Sequence, residues 1–315
     1  MKGLEISEKY YEEYGAPMME ELFPSLVSRA AIGLAGEGSE CLGFDDDVSR
    51  DHDFEPSFCI WLTDEDYEKY SFALSRAYAS LPKEFMGLRR ASDSPTGGAR
   101  RGVLRTSDFY RRFLGSDKAP SSAAHWLSVP EHSLRAVTSG KVFCDELGEF
   151  SAVRSELLKG YPEDVRLKKL AAALIMSAQS GEYNYSRCLA HGDTGAAQLA
   201  IFTFVKNIIA SIYLINNAYM PFYKWAYRGM SDLAELSKLS KPLVFLTESG
   251  NGENEANAKI KIVSDVSLAV STALKAQGLI GDASQSLEAS SYEVNGRIAD
   301  PIIRNENIFA GMIRE

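Results

Sequence analysis

Gly36-Glu37-Gly38-Ser39-Glu40-Cys41-Leu42-Gly43-Phe44-Asp45-Asp46-Asp47-Val48-Ser49-Arg50-Asp51-His52-Asp53 carries more information about this chain than any other segment. It follows an apolar run, Ala30-Ala31-Ile32-Gly33-Leu34-Ala35, that reads as a strand. A Gly-Ser turn and a loop come next, and then a second strand bearing two acids two residues apart. Strand side chains alternate between faces, so Asp51 and Asp53 are expected on one face and His52 and Phe54 on the other. Two carboxylates with β-carbons about 7 Å apart suit hard divalent cations, which take oxygen ligands together with phosphates. Gly38 and Ser39 can offer backbone N–H groups and a hydroxyl to such phosphates. An isolated Asp-x-Asp is ordinarily a solvated acidic loop. The Gly-Ser turn upstream and the apolar run Phe58-Cys59-Ile60-Trp61-Leu62 downstream set this one apart.

Rival readings of the segment fail on spelling. A Walker loop requires Lys and Ser or Thr after its second glycine, and Gly43 is followed by Phe44-Asp45. A dinucleotide fingerprint wants glycine where Cys41 stands. An EF-hand starting at Asp45 would need glycine and glutamate where the chain has Arg50 and Pro56.

The chain has 315 residues, long enough for two cores, and its 45% apolar and 24% charged composition is ordinary for a globular protein. The net charge of −9 argues against a nucleic-acid partner, which normally shows as a basic face. Cys41, Cys59, Cys144 and Cys188 form no Cys-x-x-Cys pair, so reduced thiols are expected and not a disulfide framework or zinc site. The four histidines have no metal-ligand spacing. The first residues lack a secretory apolar core. The most membrane-like run, Ala196 to Ile215, contains Gln198, Lys206 and Asn207 and reads as a helix inside a bundle. A cytoplasmic location without membrane partners is expected.

Outward from the central segment, Tyr10 to Arg29 reads as largely helical, interrupted at Pro17 and Pro24. Thr63-Asp64-Glu65-Asp66 starts a helix whose stripe is Tyr67, Tyr70, Leu74, Ala77, Tyr78 and Leu81. Ser92 to Arg101 reads as a loop, Gly102–Thr106 as a short strand, and Asp108–Leu114 as a helix ending at Gly115. Lys141–Asp145 looks like a further strand. Near residue 151 the pattern becomes helical: Ser151–Lys159, Pro162–Ser180 with Gly181 as a stop, Asp193–Asn217, a piece over Phe222–Leu239, Glu255–Gln277, and a short terminal helix. The expected fold is α+β, with a mixed sheet and flanking helices over residues 1–150 and a helical bundle over 151–315.

Gly38-Ser39, eleven residues, and then Asp51-His52-Asp53 resembles the signature of the nucleotidyltransferase superfamily related to polymerase β. The chain as a whole also resembles the DUF4037 proteins. Gly38-Ser39-Glu40, Ser49-Arg50-Asp51-His52-Asp53 and Gly140-Lys141-Val142-Phe143 with Asp145 carry that likeness. So do Gly181-Glu182-Tyr183-Asn184-Tyr185 with Arg187, and Pro221-Phe222-Tyr223-Lys224-Trp225. The superfamily resemblance implies a nucleotidyltransferase-like sheet, bound Mg²⁺ or Mn²⁺, and transfer of a nucleoside monophosphate from an NTP, foremost ATP, with loss of pyrophosphate. It implies that Gly38 and Ser39 cradle the triphosphate and that Asp51 and Asp53 hold the metals. The expected acceptor is a hydroxyl of a small molecule or protein. The resemblance implies a third carboxylate on a later strand, where Val103-Leu104-Arg105 offers arginine; Asp145 is the first candidate, Asp108 the second, and a site without a third acid, one-metal or inactive, the remaining alternative.

Asn184 and Arg187, placed between two helices, can reach a phosphate or base, or can form a structural turn with a salt bridge. Lys224, flanked by aromatics, can face a triphosphate or lie along aromatic packing. Asp45, Asp46 and Asp47 read as an acidic rim or solvated loop, and His52 as packed behind the acidic face. Two other functions share these residues: a catalytically silent NTP sensor and a metal-dependent phosphate hydrolase.

Overall fold

The structure is a computed structural model that describes residues 1–46, 55–90 and 100–313. It is a mixed α+β protein with a small sheet and many helices. The chain forms two compact units. The first comprises Met1–Pro120 and Ser133–Lys159, and the second Ser121–His132 and Gly160–Glu315. The division is interleaved: Ser121–His132 groups with the second unit and Ser133–Lys159 with the first.

The first unit is built on β1 (Ala31–Ala35), β2 (Cys59–Leu62), β5 (Gly102–Arg105) and β6 (Gly140–Cys144), with β3 (Glu84–Phe85) and β4 (Leu88–Arg89) as a separate small hairpin. The strand order is β5-β2-β1-β6. β1 runs antiparallel to β2 and β6, while β2 and β5 are parallel. β1 and β2 are central and buried on both faces, which suits their unbroken apolar spelling. On one face Ile32, Ile60 and Leu62 join Tyr10, Met18, Leu26, Leu74 and Tyr78 in a core supplied by the amino-terminal helices and the Asp64–Ser80 helix. On the other face the Trp61 indole stacks on Phe150 at 4.1 Å and meets Phe109 edge-on at 5.5 Å. Such pairs add to area burial through ring geometry. The Tyr78 hydroxyl donates to the Phe58 carbonyl (2.9 Å) and accepts from the Phe58 N–H (3.0 Å), fixing the chain where it enters β2.

The second unit is helical. Its longest apolar helix, Thr194–Ile215, is by length and composition able to cross a membrane, and 67% of its most apolar window is buried within the protein. It packs on the Glu163–Ser177 helix. That helix does not stop at Gly181. It continues as a wide π-helical segment, Ala178–Asn184, and then as the Tyr185–Ala190 helix. The expected piece over Phe222–Leu239 is instead the Tyr223–Met230 helix, with a separate helix at Ser240–Glu248. Leu287–Gly296 is a further helix that lacked a clear sequence signal.

Candidate functional site

At its carboxyl end β1 runs into Gly36, Glu37, Gly38 and Ser39, the last opening a single helical turn, Ser39–Leu42. Gly38 holds φ 125° and ψ 149°, a region that side chains avoid. A β-carbon there would stand 2.7 Å from both Glu40 carboxylate oxygens. The Glu40 carboxylate is buried and paired with the Arg101 guanidinium just ahead of β5. The turn is thus braced from below by a charge pair joining β1's exit to β5's entry. The same pair surrounds two thiols: burial pushes Cys41 up to about 12 and Cys59 up to about 11, with nearby Arg101 pulling the other way.

The acidic run after the turn is not a solvated rim at its first member. Asp45 is buried. Its Oδ2 accepts the Gly3 N–H at 3.0 Å, and the Lys2 ammonium stands 3.4 Å from Oδ1 while donating to the Asp45 carbonyl at 2.7 Å. Asp45 therefore closes the start of the Gly3–Tyr10 helix. Asp51, His52 and Asp53, with the strand expected to carry them, lie outside the described residues.

The pairing Ala35↔Gly140 and Ile32↔Cys144 puts Asp145 at the opposite end of β1 from Gly38 and Ser39. Its two oxygens accept backbone N–H bonds from Gly148 (2.9 Å) and Ser151 (2.7 Å), which caps the turn into the Glu149–Leu158 helix. Asp108, the second candidate, follows the end of β5 that pairs with Leu62 and so also lies toward the start of β1, away from Gly38; it lines a cavity that reaches Glu37.

That cavity, of about 280 Å³, extends along β5 from Arg100 to Arg105 and up to Ala35, Gly36 and Glu37. Arg100, Arg101, Arg105 and Arg112 contribute to its lining beside Tyr67, Phe109 and Phe113. None of these arginines was read from sequence as a ligand, and Arg105 was named only as standing where an acid is expected. Three sit in or beside a stretch that reads as a loop and short strand, and only folding adds Arg112 and Glu37.

In the second unit, Asn184 ends the π-helical segment and Arg187 follows one turn later, both exposed. They sit within one continuous helical run, not between helices. π-helical turns recur at functional sites. Lys224 is exposed on the Tyr223–Met230 helix, its ammonium 5.3 Å from the Trp225 ring centre. Among the described residues no group of three or more His, Cys, Asp or Glu is arranged to hold a metal ion.

These features define a mixed α+β protein whose central strand ends in a braced glycine-serine turn beside an arginine-lined cavity. Residues 126–226 match the model of a family described as a domain of unknown function, DUF4037. The matched residues include Asp145, Asn184, Arg187 and Lys224, and exclude Gly38, Ser39, Asp51 and Asp53. No curated protein matches the chain.

Proposed function

We propose that this protein is a metal-dependent nucleotidyltransferase that moves a nucleoside monophosphate from an NTP, foremost ATP, to a hydroxyl of a small molecule or protein. The observation that carries the reading is the turn at Gly38, whose backbone at φ 125° is one that glycine alone readily adopts and whose neighbour Glu40 is tied to Arg101. A glycine turn of that kind lets a phosphate chain come close to main-chain N–H groups. Gly38 and Ser39 hold the triphosphate in this reading. Asp51 and Asp53, spaced as Asp-x-Asp, are the ligands for Mg²⁺ or Mn²⁺. When bound, the metal neutralises charge on the departing pyrophosphate and on the attacking hydroxyl. Ser39 orients the phosphates, and Glu40 with Arg101 keeps the turn from relaxing. Asn184, Arg187 and Lys224 are exposed donors suited to phosphate or base, and their contribution is part of the proposal.

The test is to incubate the protein with Mg²⁺ and each labelled NTP, with and without candidate hydroxyl acceptors. Pyrophosphate release that disappears in the Asp51→Asn, Asp53→Asn double variant supports transfer. Orthophosphate release would favour a hydrolase. NTP bound equally well by both proteins without turnover would make the protein a sensor and end the proposal.

A further inference from the structure

The arginine-lined cavity along β5 has a chemistry of its own. Its lining carries four guanidinium groups against two carboxylates, Glu37 and Asp108, in a chain whose net charge is −9. Counted on the lining alone the balance is positive, and Glu40 and Glu68, paired with Arg101 and Arg105 from outside that lining, offset it. The cavity includes Glu37 but not Gly38 or Ser39, so it adjoins the glycine-serine turn without being part of it.

The arginines fall into three states. Arg101 is committed to Glu40. Arg112 donates to Glu37 at 2.5 Å, and Arg100 lies 4.0 Å from the same carboxylate. All three of those side chains are more than 40% exposed, and ion pairs so exposed contribute only about 0–1 kcal/mol. An incoming oxyanion can therefore displace Glu37 from the Arg112 fork at little cost. Arg105 lies over the Tyr67 ring at 4.7 Å and is paired with Glu68. Its Nε is buried 3.5 Å from Asp108. Stacking on Tyr67 fixes the plane of that guanidinium at the cavity wall. Phe109 and Phe113 offer an apolar wall beside it.

We propose that this cavity binds a small molecule carrying a phosphate monoester or carboxylate, with the oxyanion on Arg100, Arg105 and Arg112 and an apolar body against Phe109 and Phe113. The role of that molecule rests on the nucleotidyl-transfer reading: it is the acceptor, presented beside the triphosphate turn. The binding itself does not depend on that reading.

Phenyl phosphate and benzoate, with phenol as the neutral control, are titrated into the full-length protein by calorimetry. At least one anion binds and phenol does not; which one binds separates the phosphate from the carboxylate source. Arg105→Gln and Arg112→Gln each weaken binding by about tenfold at unchanged melting temperature. Glu37→Gln, which releases the Arg112 guanidinium, tightens it, a gain that misfolding cannot mimic. The Asp51→Asn, Asp53→Asn variant binds as the parent does. Failure of both anions to bind, or indifference to all three cavity substitutions, overturns the proposal. One-for-one displacement by ATP also overturns it, since the cavity would then belong to the nucleotide. Anion binding that holds while no NTP yields pyrophosphate leaves the cavity assignment standing and removes only the acceptor role.

Discussion

Gly38 and Gly43 bracket one helical turn and differ in what surrounds them. Gly43, at φ 73°, has nothing within 4 Å of a would-be β-carbon, whereas at Gly38 that carbon meets the Glu40 carboxylate. Gly43→Ala should therefore cost only the left-handed penalty of about 1–2 kcal/mol. Gly38→Ala should cost about 1–3 kcal/mol and also abolish pyrophosphate release. Urea denaturation and the turnover assay check the pair together, and equal turnover in both variants would count against a phosphate cradle at Gly38. The glycine was legible because spelling alone demands a bend there. The acids were harder to read. Asp45 and Asp145 each adjoin a turn, as a metal ligand would, yet both accept backbone N–H groups instead. A carboxylate beside a bend serves either purpose, and only the partner strand's register separates them.

Among the elements, the Asp64–Ser80 helix was the most legible. Its Thr63 side chain accepts the Asp66 N–H, and Leu74 and Tyr78 of its stripe are buried. The Glu163–Ser177 helix was legible in extent but not in content. Two lysines at its centre are almost wholly buried. The Lys168 ammonium donates to Asn295 Oδ1 (3.0 Å) and to the Glu306 carbonyl (2.6 Å), partners more than 120 residues away. Lys169 pairs with Glu131 at 2.8 Å, their side chains 1% and 5% exposed. Removing one member of such a pair strands the other charge, so Lys169→Met should cost about 3–5 kcal/mol. Adding Glu131→Leu should recover most of that loss. A double-mutant cycle by thermal or urea unfolding measures both steps. Gly181 misled for a related reason: glycine often ends helices, but here its bare α-carbon admits the Phe204 ring.

For the whole molecule, protonation at high pH is the informative variable. Burial raises the hydroxyls of Tyr78, Tyr110, Tyr161 and Tyr219, and the Cys41 and Cys59 thiols, above their ordinary values. Groups raised in the folded state hold protons that the unfolded chain gives up. Their contribution is complete below the unfolded values, 9.0 for cysteine and 10.0 for tyrosine, and is lost as pH climbs through the folded ones. Lys168 and Lys259, lowered by burial, work in the opposite sense, since their penalty is relieved as pH rises toward 10.5. The six raised groups outnumber them. The melting temperature should hold from pH 7 to about 9 and fall beyond about 10; a flat profile to pH 11 would contradict the burial of these side chains. At this scale the change from mixed to helical character was legible from the pattern of apolar spacing. The exchange of segments between the two units was not, because neither Ser121–His132 nor Ser133–Lys159 is marked by composition.

The widened turn at Ala178–Asn184 houses one residue more than an ordinary helix of the same rise would hold. Losing any single codon there would let the ladder close and swing every later position of that run about 100° around the axis. The Tyr185 hydroxyl, which donates to Asn251 at 3.0 Å, would be carried off its anchor. So would the outward aim of Arg187. The supernumerary residue thus acts as the phase-setter for everything the helix presents after it.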